Sequence, residues 1–194
     1  MPHIPGLPNP AHLSDFFKLF PDNTAPLMAY TDGLLRSKGE LSIGERELIA
    51  TFVSGLNACA FCHDSHKVYA EAFGIDGDLI DALVADVETA PVSEKLRPLL
   101  RYVAKLNSLP SKIVQADSDA VYAAGWGEQA MYEAISVTAL FNMMNRLIEG
   151  AGLNFDYIAN PKAHPAHQGY SPKLERSYRA FGERLEAEVL LKDE

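Results

Sequence analysis

Apolar residues along the chain recur at spacings of three and four, and strict alternation never persists beyond a few positions, so the pattern predicts helices and no sheet. Segment 26–36 (PLMAYTDGLLR) carries helical spacing. In 41–57 (LSIGERELIATFVSGLN), Ser42 followed by Glu45 is a capping-box signature that opens a second helix. A third covers 59–73 and stops at Gly74, and a fourth covers 76–85. The fifth, 92–106, contains Pro98, which marks a kink. A short helix at 118–124 precedes a long one at 128–149, which is apolar on one face and ends at Gly150 with Gly152 just beyond. A charged amphipathic helix at 174–191 is expected to pack on the body or on a partner. The prolines and glycine of 160–172 make that stretch a loop. The expected architecture is all-α: one domain over 1–194, with a helical core at 23–153 followed by a loop and the C-terminal helix. Two long apolar helices, near 43–57 and 128–149, occupy similar places in the two halves, a faint internal echo.

Composition narrows the partners. The chain has 194 residues, 47% of them hydrophobic, enough for a core without a disulfide or metal staple. A net charge of −9 argues against nucleic acid, since phosphate binding requires a basic stripe and none is present. The first nine residues lack the charged and apolar regions of a signal peptide, and no apolar run approaches the roughly 20 residues of a membrane span. A cytoplasmic protein without nucleic-acid or membrane partners is expected. In a reducing compartment its two cysteines, Cys59 and Cys62, point to catalysis or metal binding more than to a structural crosslink.

Read as helix, 59–66 places Cys62, His63 and His66 at about 300°, 40° and 340° from Cys59, a single stripe. Cys62 and His66 are one turn apart, so the imidazole can take the thiol proton and favour the reactive thiolate. Zinc is the competing use of these residue types. However, seven helical residues rise about 10 Å, too far for one rigid helix to wrap four ligands at about 2.0–2.3 Å around one ion. Inert, space-filling cysteines are the other alternative. Upstream, Leu48, Ile49, Phe52, Val53 and Leu56 form a bulky face, while Ala50, Thr51, Ser54 and Ala58 form a small one that permits close packing. Glu47 lies on the small side without a capping task. In apolar surroundings such a carboxylate serves as a base or proton relay, against the plain alternative of a solvated helix residue.

The spacing Glu47, Cys59, Cys62, His66 (E-x11-C-x2-C-x3-H) resembles the alkyl hydroperoxidase D-like proteins of the carboxymuconolactone decarboxylase superfamily. The resemblance is strongest over 41–74 and continues to about 153, where ALFNMMNRLIEGAGL is similar to the second long helix of the peroxidase-related subgroup. Asn145 and Arg146 stand out there without an assigned role. The resemblance implies a helical bundle and a thiol-dependent peroxidase for hydrogen or organic hydroperoxides. It implies no bound cofactor or metal, a dithiol or protein reductant as partner, and assembly as trimers or hexamers. It makes Cys62 peroxidatic and Cys59 resolving, with Glu47 and His66 relaying the proton. Proximity to a helix N-terminus alone would favour Cys59 as the more acidic thiol; His66, four residues from Cys62, supports the family order. The best-known members carry a histidine immediately before the second cysteine, where this chain has Phe61, and His63 is a candidate accessory group. The cysteine pair argues against lactone decarboxylation. A disulfide reductase or redox sensor, and a non-catalytic oligomerisation module, remain the alternative functions.

Elsewhere, His164 and His167 form H-x2-H in the proline-rich loop, where a solvated loop outweighs a metal clip. Trp126, between two glycines, reads as a core or subunit-contact anchor at the start of a helix. Met131, Met143 and Met144 read as core.

Overall fold

A few side chains set the ends of the helices. Ser42 Oγ accepts the Glu45 N–H at 3.1 Å and Glu45 Oε2 accepts the Ser42 N–H at 2.7 Å, closing the box that the sequence announces. Asp76 accepts the Asp78 N–H and starts the fourth predicted helix in the same way. Gly74 (φ +91°) and Gly152 (φ +68°) take the left-handed conformation that ends a helix. In this computed structural model, which describes residues 1–164 and 177–190, the regular elements among the described residues are α-helices and two 3₁₀ turns. In chain order the helices are α1 (Leu13–Leu19), α2 (Thr24–Arg36), α3 (Ile43–Leu56), α4 (Ala60–Ala72), α5 (Gly77–Ala85), α6 (Leu96–Ser108), α7 (Gln115–Ala123), α8 (Glu128–Ala151) and α9 (Ser177–Leu190).

Several predicted boundaries move for local reasons. The fifth helix begins at Leu96 and not at residue 92, which puts Pro98 in the first turn, where no intrahelical N–H is required and no kink is needed. The long helix runs through Gly150 to Ala151, because the left-handed residue that stops it is Gly152. Helix α1 went unpredicted. Its cap is His12, an uncommon capping type, whose Nδ1 accepts the Ser14 N–H at 3.0 Å while Asp15 accepts the His12 N–H at 2.9 Å. Met143 is 42% exposed and not core; it shares an outward row of α8 with Tyr132, Ile135 and Ala139, whereas Met131 and Met144 are buried.

The chain divides into two compact units, Lys38–Asn145 and a unit combining Met1–Ser37 with the residues from Arg146 onward. In the former, α3 packs along α4 and also meets α5 and α6. Leu48, Ile49, Phe52 and Val53 of α3 join Leu99, Leu100 and Val103 of α6 in the core. Each such side chain contributes about 1.5–3 kcal/mol on burial. The α3–α4 approach is close enough that a Cβ at Gly44 would lie 2.9 Å from the Phe73 carbonyl oxygen. Trp126 is buried just before α8, its Nε1–H donating to the Lys95 carbonyl at 2.8 Å with Lys95 Nζ 4.0 Å above the ring.

In the other unit, α9 packs on α2 and α1. Asp32 of α2, buried, accepts the Arg179 N–H in the first turn of α9 at 3.3 Å, and Arg36 stacks on the Tyr178 ring at 4.8 Å. His164 is 1% exposed, with its ring edge-to-face to Tyr157, so the solvated-loop reading fails for it. His167 lies outside the described residues, as do 174–176 of the predicted last helix. Among the described residues no helix is long and apolar enough to cross a membrane.

Candidate active site

The candidate site is built where α3 hands the chain to α4. Helix α3 ends at Leu56 with Asn57 as its cap, and Ala58 takes φ +55°. The Cys59 N–H donates to the Ser54 carbonyl at 2.9 Å, and the Ala58 N–H to the Gly55 carbonyl at 3.0 Å. Together these bonds form a Schellman ending, with alanine in the position usually held by glycine. Cys59 is therefore not the first residue of the helix, as its place on the predicted stripe required. It is the extended N-cap of α4 (φ −88°, ψ 91°), and the stripe retains only Cys62, His63 and His66.

This correction changes the placement of the pair. Cys59 is the N-cap and Cys62 the third helical residue, so both lie within the first turn of α4. Position along the helix therefore does not select between them. Both are thiols and both are buried, Cys59 at 0% and Cys62 at 3% exposure.

His66 follows Cys62 by one turn of α4. Its Nδ1 meets Glu47 Oε2 at 2.6 Å, and Glu47 is fully buried on α3. The preference of Ala50, Thr51 and Ser54 for close packing brings this carboxylate under α4; Thr51 and Ser54 turn their hydroxyls back onto the α3 carbonyls of Glu47 and Ala50, at 2.9 and 2.8 Å. With Glu47 accepting at Nδ1, the tautomer of His66 is fixed and Nε2 becomes its proton-accepting nitrogen. Aromatic rings close around the imidazole. Phe141 of α8 meets it edge-to-face at 4.5 Å between centroids, and Tyr69 lies at 6.0 Å. The resulting unit is a buried acid–imidazole pair on the face of the helix that carries a thiol.

His63 does not join this pair. Its Nδ1 donates to the Thr51 carbonyl of α3 at 3.1 Å, so it faces the neighbouring helix. Phe61 is buried and brings no titratable group to the position before Cys62. Among the described residues no group of three or more His, Cys, Asp and Glu side chains is placed to hold a metal ion.

Sequence reasoning missed two polar assemblies around the site. In the first, Glu40 accepts the Gly127 and Ala130 N–H groups at the start of α8 at 2.7 and 3.1 Å. Glu133 of α8 in return accepts the N–H groups of Glu40 and Leu41 at 3.2 and 2.9 Å. Buried Arg46 donates through Nε and Nη2 to the Leu41 carbonyl at 3.1 and 2.8 Å. The second is a chain of four asparagines, 57, 107, 142 and 145, drawn from the α3 cap, α6 and α8. Only Asn145 had been singled out from the sequence. The contacts span up to 93 residues, which no local spacing encodes.

Residues 21–105 match the model of the carboxymuconolactone decarboxylase family, the span that contains all four motif residues. An uncharacterized peroxidase-related protein from Silicibacter sp. TM1040 superposes with TM-score 0.68 at 25% identity, covering 73% of this chain and 74% of its own. An uncharacterized peroxidase-related protein from Ralstonia eutropha JMP134, described as an alkylhydroperoxidase AhpD core, gives TM-score 0.68 at 23% identity with the same coverage. A protein of unknown function from Agrobacterium tumefaciens, provisionally assigned as an antioxidant defence AhpD, gives TM-score 0.63 at 21% identity, covering 73% of this chain and 95% of its own. No curated protein matches the sequence. The fold is thus the alkyl hydroperoxidase D-like helical fold, and segment 21–105 is similar to the carboxymuconolactone decarboxylase family.

Proposed function

We propose that the protein is a thiol-dependent peroxidase that reduces hydrogen or organic hydroperoxides through a Cys59–Cys62 dithiol/disulfide cycle. The observation that carries this reading is the buried Glu47–His66 contact of 2.6 Å on the helix face that holds Cys62 one turn away. The peroxidase-related neighbours support it at the level of the family.

In the first step His66 takes the Cys62 proton, and Glu47 stabilises the imidazolium that forms. The Cys62 thiolate attacks the terminal peroxide oxygen, an S–O bond forms, the O–O bond breaks, and the departing alkoxide takes the proton back from His66. Cys62 is now a sulfenic acid and the alcohol has left. Cys59 then attacks the Cys62 sulfur. The S–S bond forms, the S–O bond breaks, and the oxygen leaves as water with the remaining proton. The pair has given up two electrons, and an external dithiol returns them by thiol–disulfide exchange. The slight exposure of Cys62, against none for Cys59, supports Cys62 as the thiol that meets the peroxide. With Phe61 before Cys62 and His63 turned to α3, the proton route in this chain rests on His66 and Glu47.

The test is thiol titration during addition of cumene hydroperoxide. Rapid loss of two thiols per chain is expected, and it should be abolished in Cys62→Ser. Oxidation by a disulfide reagent but not by the peroxide would instead make the protein a disulfide oxidoreductase. No thiol loss with either reagent would leave only a non-catalytic module.

A further inference from the structure

The asparagine chain ends on the corner that sets Cys59. Asn57 Nδ2 donates to Asn145 Oδ1 at 2.9 Å, and Asn145 Nδ2 donates to Ser54 Oγ at 3.1 Å. Both ends of one buried carboxamide are therefore spent on the last turn of α3. Ser54 is also the residue whose carbonyl holds the Cys59 N–H at 2.9 Å, so a single residue separates Asn145 from the cysteine. Behind this contact, Asn107 Nδ2 donates to Asn57 Oδ1 at 2.9 Å, and Asn142 Nδ2 donates to Asn107 Oδ1 at 2.6 Å. The corner is thus tied to both α6 and α8.

It is also a strained turn. Ala58 sits at φ +55°, a conformation that disfavours a Cβ, and Cys59 follows it as the extended N-cap of α4. From Ala60 onward Cys62 is fixed by the helix. Between the two cysteines the one backbone torsion outside the helix is therefore ψ of Cys59, and it is set by how the Cys59 N–H, anchored on the Ser54 carbonyl of α3, meets the start of α4. A disulfide requires Cβ atoms about 3.5–4.5 Å apart, so its stability depends on how narrowly that torsion is held.

We propose that Asn145, backed by Asn57, Asn107 and Asn142, is a positioning residue of the dithiol: it locks the α3–α4 corner, raises the effective concentration of Cys59 at Cys62, and thereby stabilises the disulfide over the dithiol. The inference rests on the dithiol reading but not on the oxidant being a peroxide. In the exchange that reports it, the Cys59 and Cys62 thiols form one S–S bond, the S–S bond of glutathione disulfide breaks, and two glutathione thiols carry away the two electrons and two protons.

The experiment is redox equilibration of the full-length protein in glutathione buffers, with Asn145→Ala, Asn107→Ala and a control, Ile80→Val, in the buried face of α5. The equilibrium constant for disulfide formation should fall about tenfold in Asn145→Ala, a rise in potential of about 30 mV. In Asn107→Ala, one link further back, it should fall about threefold, or roughly 14 mV. Ile80→Val should lower the thermal midpoint and leave the potential unchanged. If Asn145→Ala does not fold, Asn107→Ala carries the test. The inference is overturned if the folded variants keep the wild-type potential, if Ile80→Val moves it equally, or if the wild type forms no intramolecular disulfide in these buffers. A wild type that shows the expected potentials but does not react with peroxide sinks the peroxidase reading and leaves the clamp standing.

Discussion

Two imidazoles, buried His66 in one compact unit and half-buried His12 in the other, meet different partners. His66 has a carboxylate at Nδ1, aromatic rings on its faces and a cysteine one turn before it on the same helix. His12 spends Nδ1 accepting the Ser14 N–H as a helix cap and sets Nε2 at 2.5 Å from the Tyr157 hydroxyl. Both are withdrawn from solvent, His12 only in part, and both make a short hydrogen bond to an oxygen. The difference lies in what a gained proton would do. In the proposed mechanism a proton gained at His66 comes from Cys62 and leaves the contact with Glu47 in place. At His12 it would occupy the nitrogen that caps α1. An imidazole becomes a catalytic candidate through the pair of groups at its two nitrogens, not through burial.

The widest separation between the two should appear in kinetics. His66→Ala is expected to slow peroxide-driven thiol oxidation by roughly 10²–10⁴-fold, the usual worth of a general base, in stopped-flow measurements. His12→Ala should leave that rate within twofold; equal losses in the two variants would erase the distinction. Glu47→Gln comes next. It keeps the shape and a hydrogen-bond acceptor for His66 but removes the negative charge, and a rate loss of roughly 10–100-fold with a retained helical circular-dichroism spectrum is expected. Unchanged kinetics would remove Glu47 from the mechanism.

Stability should separate them in the opposite sense. His12→Ala removes a helix cap and is expected to cost about 1 kcal/mol in urea unfolding. Burial is the main reason that the pKa of His12 lies below its ordinary value of 6.5; Asp15 opposes this and Arg184 and Lys18 add to it. The unfolded chain therefore takes up this proton at a higher pH than the folded one. The contribution of His12 is complete above about pH 6.5 and is lost as the pH falls below that value. His12→Asn keeps a capping oxygen without the titration, so its unfolding free energy should decline less between pH 7 and 5 than that of the wild type. Identical slopes would show that the proton never reaches His12. The smallest effect expected is at the other helix boundary. Ala58→Gly relieves the left-handed alanine but loosens the unfolded chain, for a net gain of about 0.5 kcal/mol.

Local rules made much of the fold legible. The Ser42–Glu45 box, the stop at Gly74 and the Asp76 cap are each determined by residues within a few positions of one another. The rules failed where the chain used an unusual residue for a familiar task. Histidine capping α1 and alanine at the left-handed end of α3 carry no signal in the sequence, and the second of these moved Cys59 out of the helix. At the site, the motif spacing named Glu47, Cys62 and His66, whose placement follows from the packing of two helices adjacent in sequence. Phe141 and the asparagine partners of Asn57 were not legible, because only the return of α6 and α8 brings them to the corner. Met143 was misread because apolar character does not distinguish the inward face of α8 from its outward row.

The asparagine clamp has a consequence for the order of synthesis. Asn57 and Asn145 are 88 residues apart, so at about 5–20 residues per second the ribosome makes the corner roughly 4–18 s before it makes the residue that locks it. During that interval both thiols have been translated and the residue that aligns them has not. On the proposed clamp, the alignment of Cys59 with Cys62 is completed only when α8 arrives, so the pair is held less narrowly during that interval than in the finished fold.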